Sequence, residues 1–434
     1  MAKLLLAASL ALAAIPAFGA ARPGEEELMD ARAKLEKMLT ENIIPFWHPG
    51  VIDRDNGGYK LNHDEAGRWM GPSDKYLVTQ ARTVWFFSRL ARSKYGSEEH
   101  LRAARIGYEF LRDKMWDGEF GGFYWAVSYA GDRPTMPDKH LYGQSFALYA
   151  LSQYAMASGD PEAEQLARRL FRLIDFHAHD PSNGGYVESF SRDWKPLPRG
   201  RKGYMGVGSD VKLMNTHLHL MEALTAYYLA TRDLVARKRL LELIFIQSNS
   251  VVRKTVGACT DKHTLNWLPL RGPEYDRVSY GHDLENVWLL MEACRAVGLP
   301  PNILLDLYRT LFDYSLRYGF DREGGGFFSS GPIGRPADDR RKIWWVQAEC
   351  MVSSLMMYRL TRDPLYFGLF RRTLDWILEN QVDWENGDWH AEVGEDGRSG
   401  GRKAGPWKSP YHNGRAVLKC IELLDELMCE SHSP

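Results

Sequence analysis

The 434-residue chain carries 55 basic and 56 acidic side chains, a formal net charge of -1, and so has no overall field to draw it to nucleic acid or to an anionic membrane. With 44% hydrophobic and 26% charged residues, it can bury a large core and lacks the composition of a disordered chain. The 14 Trp suit either a helical core or a surface that stacks on sugar rings.

At the start of the chain, Lys3, the apolar run 4–14 and the small residues after Pro16 have the layout of an export signal. Residues 1–21 are therefore expected to be removed and the protein to work in the periplasm or outside the cell. No later run has the roughly 18 uncharged apolar residues of a membrane span. Residues 22–434 contain no Pro- or Ser-rich linker and are expected to form one catalytic domain. Cys259, Cys294, Cys350, Cys420 and Cys429 lack the close spacing of a zinc or redox motif, which argues against a disulfide scaffold and leaves one surface disulfide open.

Amphipathic helices, with apolar residues at i, i+3, i+4 and i+7, are predicted over 81–93, 101–115, 141–158, 162–177, 211–231, 283–297 and 346–361. Several carry polar groups that solvation does not explain. Arg82, set among Ala81, Val84 and Trp85, needs sugar oxygens, Glu349 or a structural partner. Asn215 and His219 are four apart and share a helix face, whereas His217 lies on another, so one histidine alone points inward with Asn215. His282, Glu285 and Trp288 follow Gly281 at a helix start, as a general base with a charge-tuning carboxylate or, alternatively, as part of a capping arrangement. Trp345 and Glu349 stand one turn apart, a ring to stack on a sugar beside a carboxylate to hold its hydroxyls. Trp407 and His412 lie in a loop that enters the apolar run 416–424, where a mouth site or a lid over the core would fit.

A turn recurs between these helices: Asn56-Gly57-Gly58-Tyr59, Phe120-Gly121-Gly122-Phe123, Asn183-Gly184-Gly185-Tyr186, Gly324-Gly325-Gly326-Phe327 and, degenerate, Asn386-Gly387-Asp388-Trp389. The second glycines, 58, 122, 185 and 326, are separated by 64, 63 and 141 residues, so one member of the series is disguised near Gly257. Two helices per period over six periods predict an all-α (α/α)6 barrel with short strands only at the mouth, because one hairpin cannot bury its own apolar face.

The runs His140-Leu141-Tyr142-Gly143-Gln144, Met214-Asn215-Thr216-His217-Leu218-His219, Gly281-His282-Asp283-Leu284-Glu285, Trp344-Trp345-Val346-Gln347-Ala348-Glu349 and Trp407-Lys408-Ser409-Pro410-Tyr411-His412-Asn413-Gly414-Arg415 together resemble the N-acylglucosamine 2-epimerase superfamily. The Tyr411-His412-Asn413 ending resembles its cellobiose branch. The resemblance implies epimerisation at C2 of the reducing-end sugar of a β-1,4-linked disaccharide, with no metal and no other cofactor. It matches His282 and His412 to the acid/base pair and His219 to a third active-site histidine tied to ring opening. Arg82, Tyr142, Asn215, Glu285, Trp288, Trp345 and Glu349 match residues that hold the reducing sugar, and Trp407 matches the ring platform. Ala81 and Ser409 depart from the family's usual Ser and Cys.

The chemistry agrees with that resemblance. Inverting C2 requires ring opening, loss of a proton α to the carbonyl and its return to the other face of an enediol, and imidazole is base or acid near neutrality. The rivals are an N-acylglucosamine epimerase or mannose isomerase, a glycoside hydrolase using Glu285 and Glu349, a metal enzyme ligated by His219, His282 and His412, and a non-catalytic sugar-binding protein. A monomer is expected, with a dimer left open.

Overall fold

The computed structural model describes residues 22–431, and the export signal expected at residues 1–21 lies outside the described residues. Its helices are α1 (Glu25–Lys37), α2 (Ile44–Trp47), α3 (Leu77–Ala91), α4 (Glu98–Phe110), α5 (Leu141–Ser158), α6 (Pro161–Ala178), α7 (Met214–Thr231), α8 (Leu234–Phe245), α9 (Tyr280–Ala296), α10 (Leu305–Tyr318), α11 (Trp344–Thr361), α12 (Pro364–Trp376) and α13 (Tyr411–Ser431). The odd-numbered helices from α3 to α13 form a closed inner ring in which each packs on the next and α13 returns to α3. Behind them stand α4, α6, α8, α10 and α12, and α1 backs α13. This is the expected (α/α)6 barrel, its sixth hairpin assembled from α1 and α13.

The two rings differ in sequence for a physical reason. Outer α6 turns one stripe inward, including Ala163, Ala167, Leu170, Phe171 and Ile174, as a helix with one wet face must. Inner α5 is buried on all sides, from Leu141 to Tyr154 with little interruption. A polar side chain on an inner helix therefore marks either the lumen or a contact with a turn. Three returns from inner to outer ring use one left-handed residue and an Asp cap: Gly159 (φ 69°) with Asp160, Arg232 (φ 56°) with Asp233, and Arg362 (φ 58°) with Asp363.

The glycine turns carry the chain from outer to inner helix, and four of them are held by the same two kinds of side chain, one that clamps the backbone and one that bonds an aspartate. The amides of Gln80, Gln144 and Gln347 accept from the backbone N–H of Tyr59, Phe123 and Phe327 at 2.9, 2.9 and 2.8 Å, and donate back to the same residues' carbonyls. His217 Nε2 does the same work for the Tyr186 N–H at 2.9 Å. A buried lysine bonds the turn's first aspartate: Lys75 with Asp53, Lys139 with Asp117, Lys212 with Asp180, Lys342 with Asp321 and Lys403 with Asp383, all between 2.7 and 2.9 Å. At Gly58 (φ 67°) a Cβ would stand 2.7 Å from Gln80 Oε1, so the glycine serves both the backbone conformation and the clamp. The disguised sixth turn does lie at Gly257 (φ 83°), between the paired residues Arg253 and Ala258, with Asp283 accepting from Cys259 N–H at 3.0 Å.

Inner helices start earlier than their periodicity predicts: α3 at Leu77, α9 at Tyr280 and α11 at Trp344. They lack side-chain caps, and tertiary contacts replace them. Leu77 N–H donates to the Trp125 carbonyl at 2.9 Å, Met214 to Asp261 at 2.7 Å and Trp344 to Ala391 at 3.1 Å. The predicted helix over 211–231 likewise opens as a strand, Val211–Leu213, paired with Lys262–Thr264. The predicted helix over 101–115 ends in a π turn, Leu111–Met115. Cys259, Cys294, Cys350 and Cys420 are buried thiols.

Because His217 accepts a backbone N–H it must be neutral, and burial pushes it down to about 3. A folded-state pKa below the unfolded one means that the unfolded chain takes up the proton first, so this contribution is lost as pH falls below about 6.5. The variant His217→Gln, which installs the clamp used in three other turns, is expected to remove that dependence. Its stability relative to the parent should rise by about 1.4 kcal/mol per pH unit between pH 6 and 4 in denaturant titrations. An offset independent of pH would refute the clamp's neutral state.

Candidate active site

All six inner helices begin at the same end of the ring, so their first two turns surround one mouth. Ring order sets α7 opposite α13, α9 opposite α3, and α5 opposite α11. It follows that His219 (α7) faces His412 (α13), Arg82 (α3) faces His282 (α9), and Tyr142 (α5) faces Trp345 (α11). Gly281 lets α9 and α11 approach closely, since a Cβ there would lie 2.6 Å from the Trp345 ring.

His412 Nδ1 is 2.6 Å from Glu349 Oε1, and His219 Nδ1 is 3.1 Å from Glu222 Oε2. Glu349 also accepts from Trp288 Nε1 at 2.9 Å and from Arg415 Nη2 at 2.7 Å. The same Nη2 donates to Glu285 Oε1 at 2.7 Å, and Nη1 donates to Glu222 and to the Tyr411 hydroxyl. Arg415 is almost wholly buried, its guanidinium 4.7 Å above the Trp288 ring. One guanidinium thus joins the two opposed histidines through a carboxylate each: His219, Glu222, Arg415, Glu349, His412.

Charge in this layer is unevenly placed. Burial opposes ionisation of Glu222, but Arg415 and His219 outweigh it and bring the carboxyl to about 2. Burial, with Glu349 adding to it, pushes Glu285 well above the carboxylate range, and its Oε2 has no hydrogen-bond partner. Three carboxyl groups around one guanidinium cannot all ionise, and Glu285 is the one that keeps its proton. Burial holds His412 well below its ordinary pKa, with Arg82 and Arg415 adding to it, and brings His282 down to about 3, with His219 adding to it. Both imidazoles are neutral at neutral pH and able to accept a proton.

Of the residues singled out from sequence, His219, Glu285, Trp288, Glu349 and His412 meet in this network. His282 is half-buried against Trp345, ring centroids 4.7 Å apart, and His412 lies 5.7 Å from the same ring. The tuning role expected of Glu285 toward His282 is not seen: Glu285 bonds Arg415, and His282 has no hydrogen bond among the described residues. Arg82 does not bond Glu349 either. It donates to the Tyr142 hydroxyl at 3.0 Å and the Trp407 carbonyl at 3.2 Å, packs over Phe146 at 4.1 Å, and leaves Nε unpartnered. Arg82 is a buried cation without a carboxylate among the described residues. Asn215 is half-buried above His219, its Oδ1 unpartnered. Trp407 is 46% exposed at the mouth, 6.2 Å from Trp125 and Tyr142. Trp288 lies beneath the site and supports Glu349 from below. His217, as expected of one of the two histidines, points away to its turn.

Sequence reasoning missed Glu222, Tyr411 and Arg415. Glu222 is three residues after His219 and Arg415 three after His412, the same spacing that drew attention to Glu285 after His282.

Glu285, Glu349 and His412 bring ligand atoms within 4.8 Å of one another, yet a cation there would sit against the Arg415 guanidinium that already bonds both carboxyl groups. His219, His282 and His412, the rival metal set, do not bring their ligand atoms together in such a group among the described residues. Glu285 and Glu349 share one guanidinium nitrogen and stand side by side, not across a cleavable bond as a hydrolase pair would.

The model of the N-acylglucosamine 2-epimerase (GlcNAc 2-epimerase) family matches residues 57–416. The chain belongs to this family. Among family relatives, it is 32% identical over 406 residues to a cellobiose 2-epimerase of Bacteroides fragilis, covering 91% of this chain and 99% of that one. The solved cellobiose 2-epimerase of Spirochaeta thermophila is 33% identical, with a TM-score of 0.82 over 92% of this chain and 98% of its own. A D-mannose isomerase of Marinomonas mediterranea is more distant, 25% identical over 411 residues, which cover 92% of this chain and 98% of the isomerase.

Proposed function

We propose that this chain is a sugar 2-epimerase that interconverts glucose and mannose at the reducing end of β-1,4-linked disaccharides, with cellobiose the first substrate to test. The observation that carries this reading is a lumen holding three histidines, two of them opposed and joined by a buried carboxylate–guanidinium network, with Arg82 unpaired by any carboxylate beside them. The higher identity to cellobiose 2-epimerases than to the mannose isomerase favours the disaccharide.

The reducing sugar lies against Trp345, between His282 and His412. After ring opening, assisted by His219, one imidazole takes the C2 proton, and electrons move onto the carbonyl oxygen to give an enediolate. Arg82 stabilises that oxygen. The other imidazole returns a proton to the opposite face of C2, and the ring closes. His412 Nε2 is an acceptor until it takes a proton from the substrate and a donor afterwards, and the proton in the His412–Glu349 bond can then pass to Glu349, which keeps the ring neutral. A proton returned to C1 gives the ketose, so some isomerisation accompanies epimerisation.

Incubation with cellobiose in deuterated water, followed by NMR, should show C2 inversion with one deuterium gained there and an unchanged disaccharide. Appearance of monosaccharide would replace the epimerase with a hydrolase. Trp407, exposed at the mouth, is the platform for the second sugar. Trp407→Ala should raise KM for cellobiose about tenfold, from the roughly 1.4 kcal/mol of a lost ring contact, and leave KM for a monosaccharide nearly unchanged. Equal effects on both substrates would remove the platform role. We also propose that residues 1–21 direct export. N-terminal sequencing of protein recovered outside the cytoplasm should then begin within a few residues of Arg22.

A further inference from the structure

Beneath the layer of Glu222, Tyr411 and Arg415 the lumen opens again toward the other end of the ring. A cavity of about 460 Å³ lies there, lined from five of the six inner helices. This is within the range of about 300–1,000 Å³ typical of small-molecule sites. Glu222, Trp288 and Arg415 are its roof and at the same time the floor under His219 and Glu349. Its outer rim carries exposed Arg92 and Leu229. The mechanism above uses none of the space.

We propose that this rear chamber is a second binding site, for a small neutral molecule rich in hydroxyl groups and about the size of one sugar ring. The lining argues for neutrality, because the charges inside it are already matched, and Arg92, which reaches Met156 Sδ and no carboxylate among the described residues, stands exposed at the rim. Arg415 bonds Glu222, Lys419 bonds Glu292 at 3.2 Å, and Arg89 bonds Glu422. A charged ligand would have to displace one of these partners, whereas hydroxyl groups can bond to both members of an ion pair without separating them. Trp85 and Tyr149 supply an aromatic wall, with ring centroids 5.3 Å apart, suited to the C–H face of a sugar ring. Trp85 Nε1 and Gln153 Nε2, both buried, are donors with no acceptor, a state that proteins otherwise avoid.

The test is titration of the full chain with methyl β-D-glucopyranoside, a locked acetal that cannot open and so cannot be epimerised. The indole N–H resonance of Trp85 reports the chamber, and that of Trp407 reports the mouth. The Trp85 resonance should shift saturably, and Ala226→Phe, which fills the chamber from α7, should weaken that response at least tenfold while the Trp407 response persists. If Ala226→Phe fails to fold, Gln153→Leu takes its place with the same expected loss. A Trp85 resonance that stays fixed up to saturation of Trp407, or that shifts equally in the folded variant, overturns the proposal.

Discussion

Arg415→Met should destabilise the protein by about 3–5 kcal/mol, because it removes the guanidinium that bonds Glu222, Glu285 and Glu349 and leaves buried carboxylate charge uncompensated. In the parent, Glu222 is held at about 2 chiefly by Arg415 against its burial. Without Arg415 its folded-state pKa rises above the unfolded value, and the folded chain binds the proton more tightly. Stability of the variant should therefore recover as pH falls from 8 to 5, opposite in sign to the parent's Glu222 contribution, which is present above about pH 4.5 and lost below it. Denaturant titrations of both proteins at pH 5 and pH 8 measure this. A loss of under about 1 kcal/mol, or one that does not change with pH, would mean that the three carboxyl groups do not depend on Arg415.

The second large effect is chemical. His412→Ala should lower kcat for C2 inversion by about 10² to 10⁴-fold, the usual contribution of one positioned acid/base group, with little change in KM. Exchange of the C2 proton with deuterated solvent separates the possible steps. If His412 reprotonates one face only, the variant retains exchange from one epimer and loses it from the other. If kcat falls less than about tenfold, His412 is not a proton carrier.

Much of the barrel was legible because the glycine turn is a mechanical part with fixed requirements. A left-handed glycine under a glutamine clamp, a following aromatic and a buried Lys–Asp pair repeat nearly unchanged. The sixth turn was obscured because it meets the same requirement with other residues: Cys259 stands where the aromatic does, and Asp283 is the clamp. In the last turn Asp388 takes the left-handed position (φ 54°) and accepts from Trp47 and Asn413, so the second glycine is gone without loss of the bend. Helix starts were misplaced by the periodicity because their caps come from carbonyls tens of residues away, such as Trp125 for Leu77.

In the site, sequence spacing found which residues point inward, since a helix face follows from counting. It did not find which carboxyl group serves which histidine. Glu285 lies one turn from His282 on α9 but bonds Arg415 on α13, and Glu349 bonds a histidine 63 residues away. Ring order decides those partners, and no local pattern encodes it. For the same reason Glu349, one of the partners that the sequence offers Arg82, goes instead to Arg415 on α13.

The pairing of α1 with α13 has a consequence for how the molecule comes into being. During synthesis α1 precedes α13 by the whole barrel, and its apolar stripe stays uncovered until α13 arrives to complete the circle. His412, Tyr411 and Arg415 travel on that last helix. A chain that holds His219 and His282 but not yet α13 thus has no counter-charge for Glu222 and no finished lumen. The arrangement also makes the opening of the ring a matter of position. A circular permutant joined between α13 and α1 and cut in the loop between α8 and α9 would keep every hairpin and its site, with the waiting helix moved elsewhere.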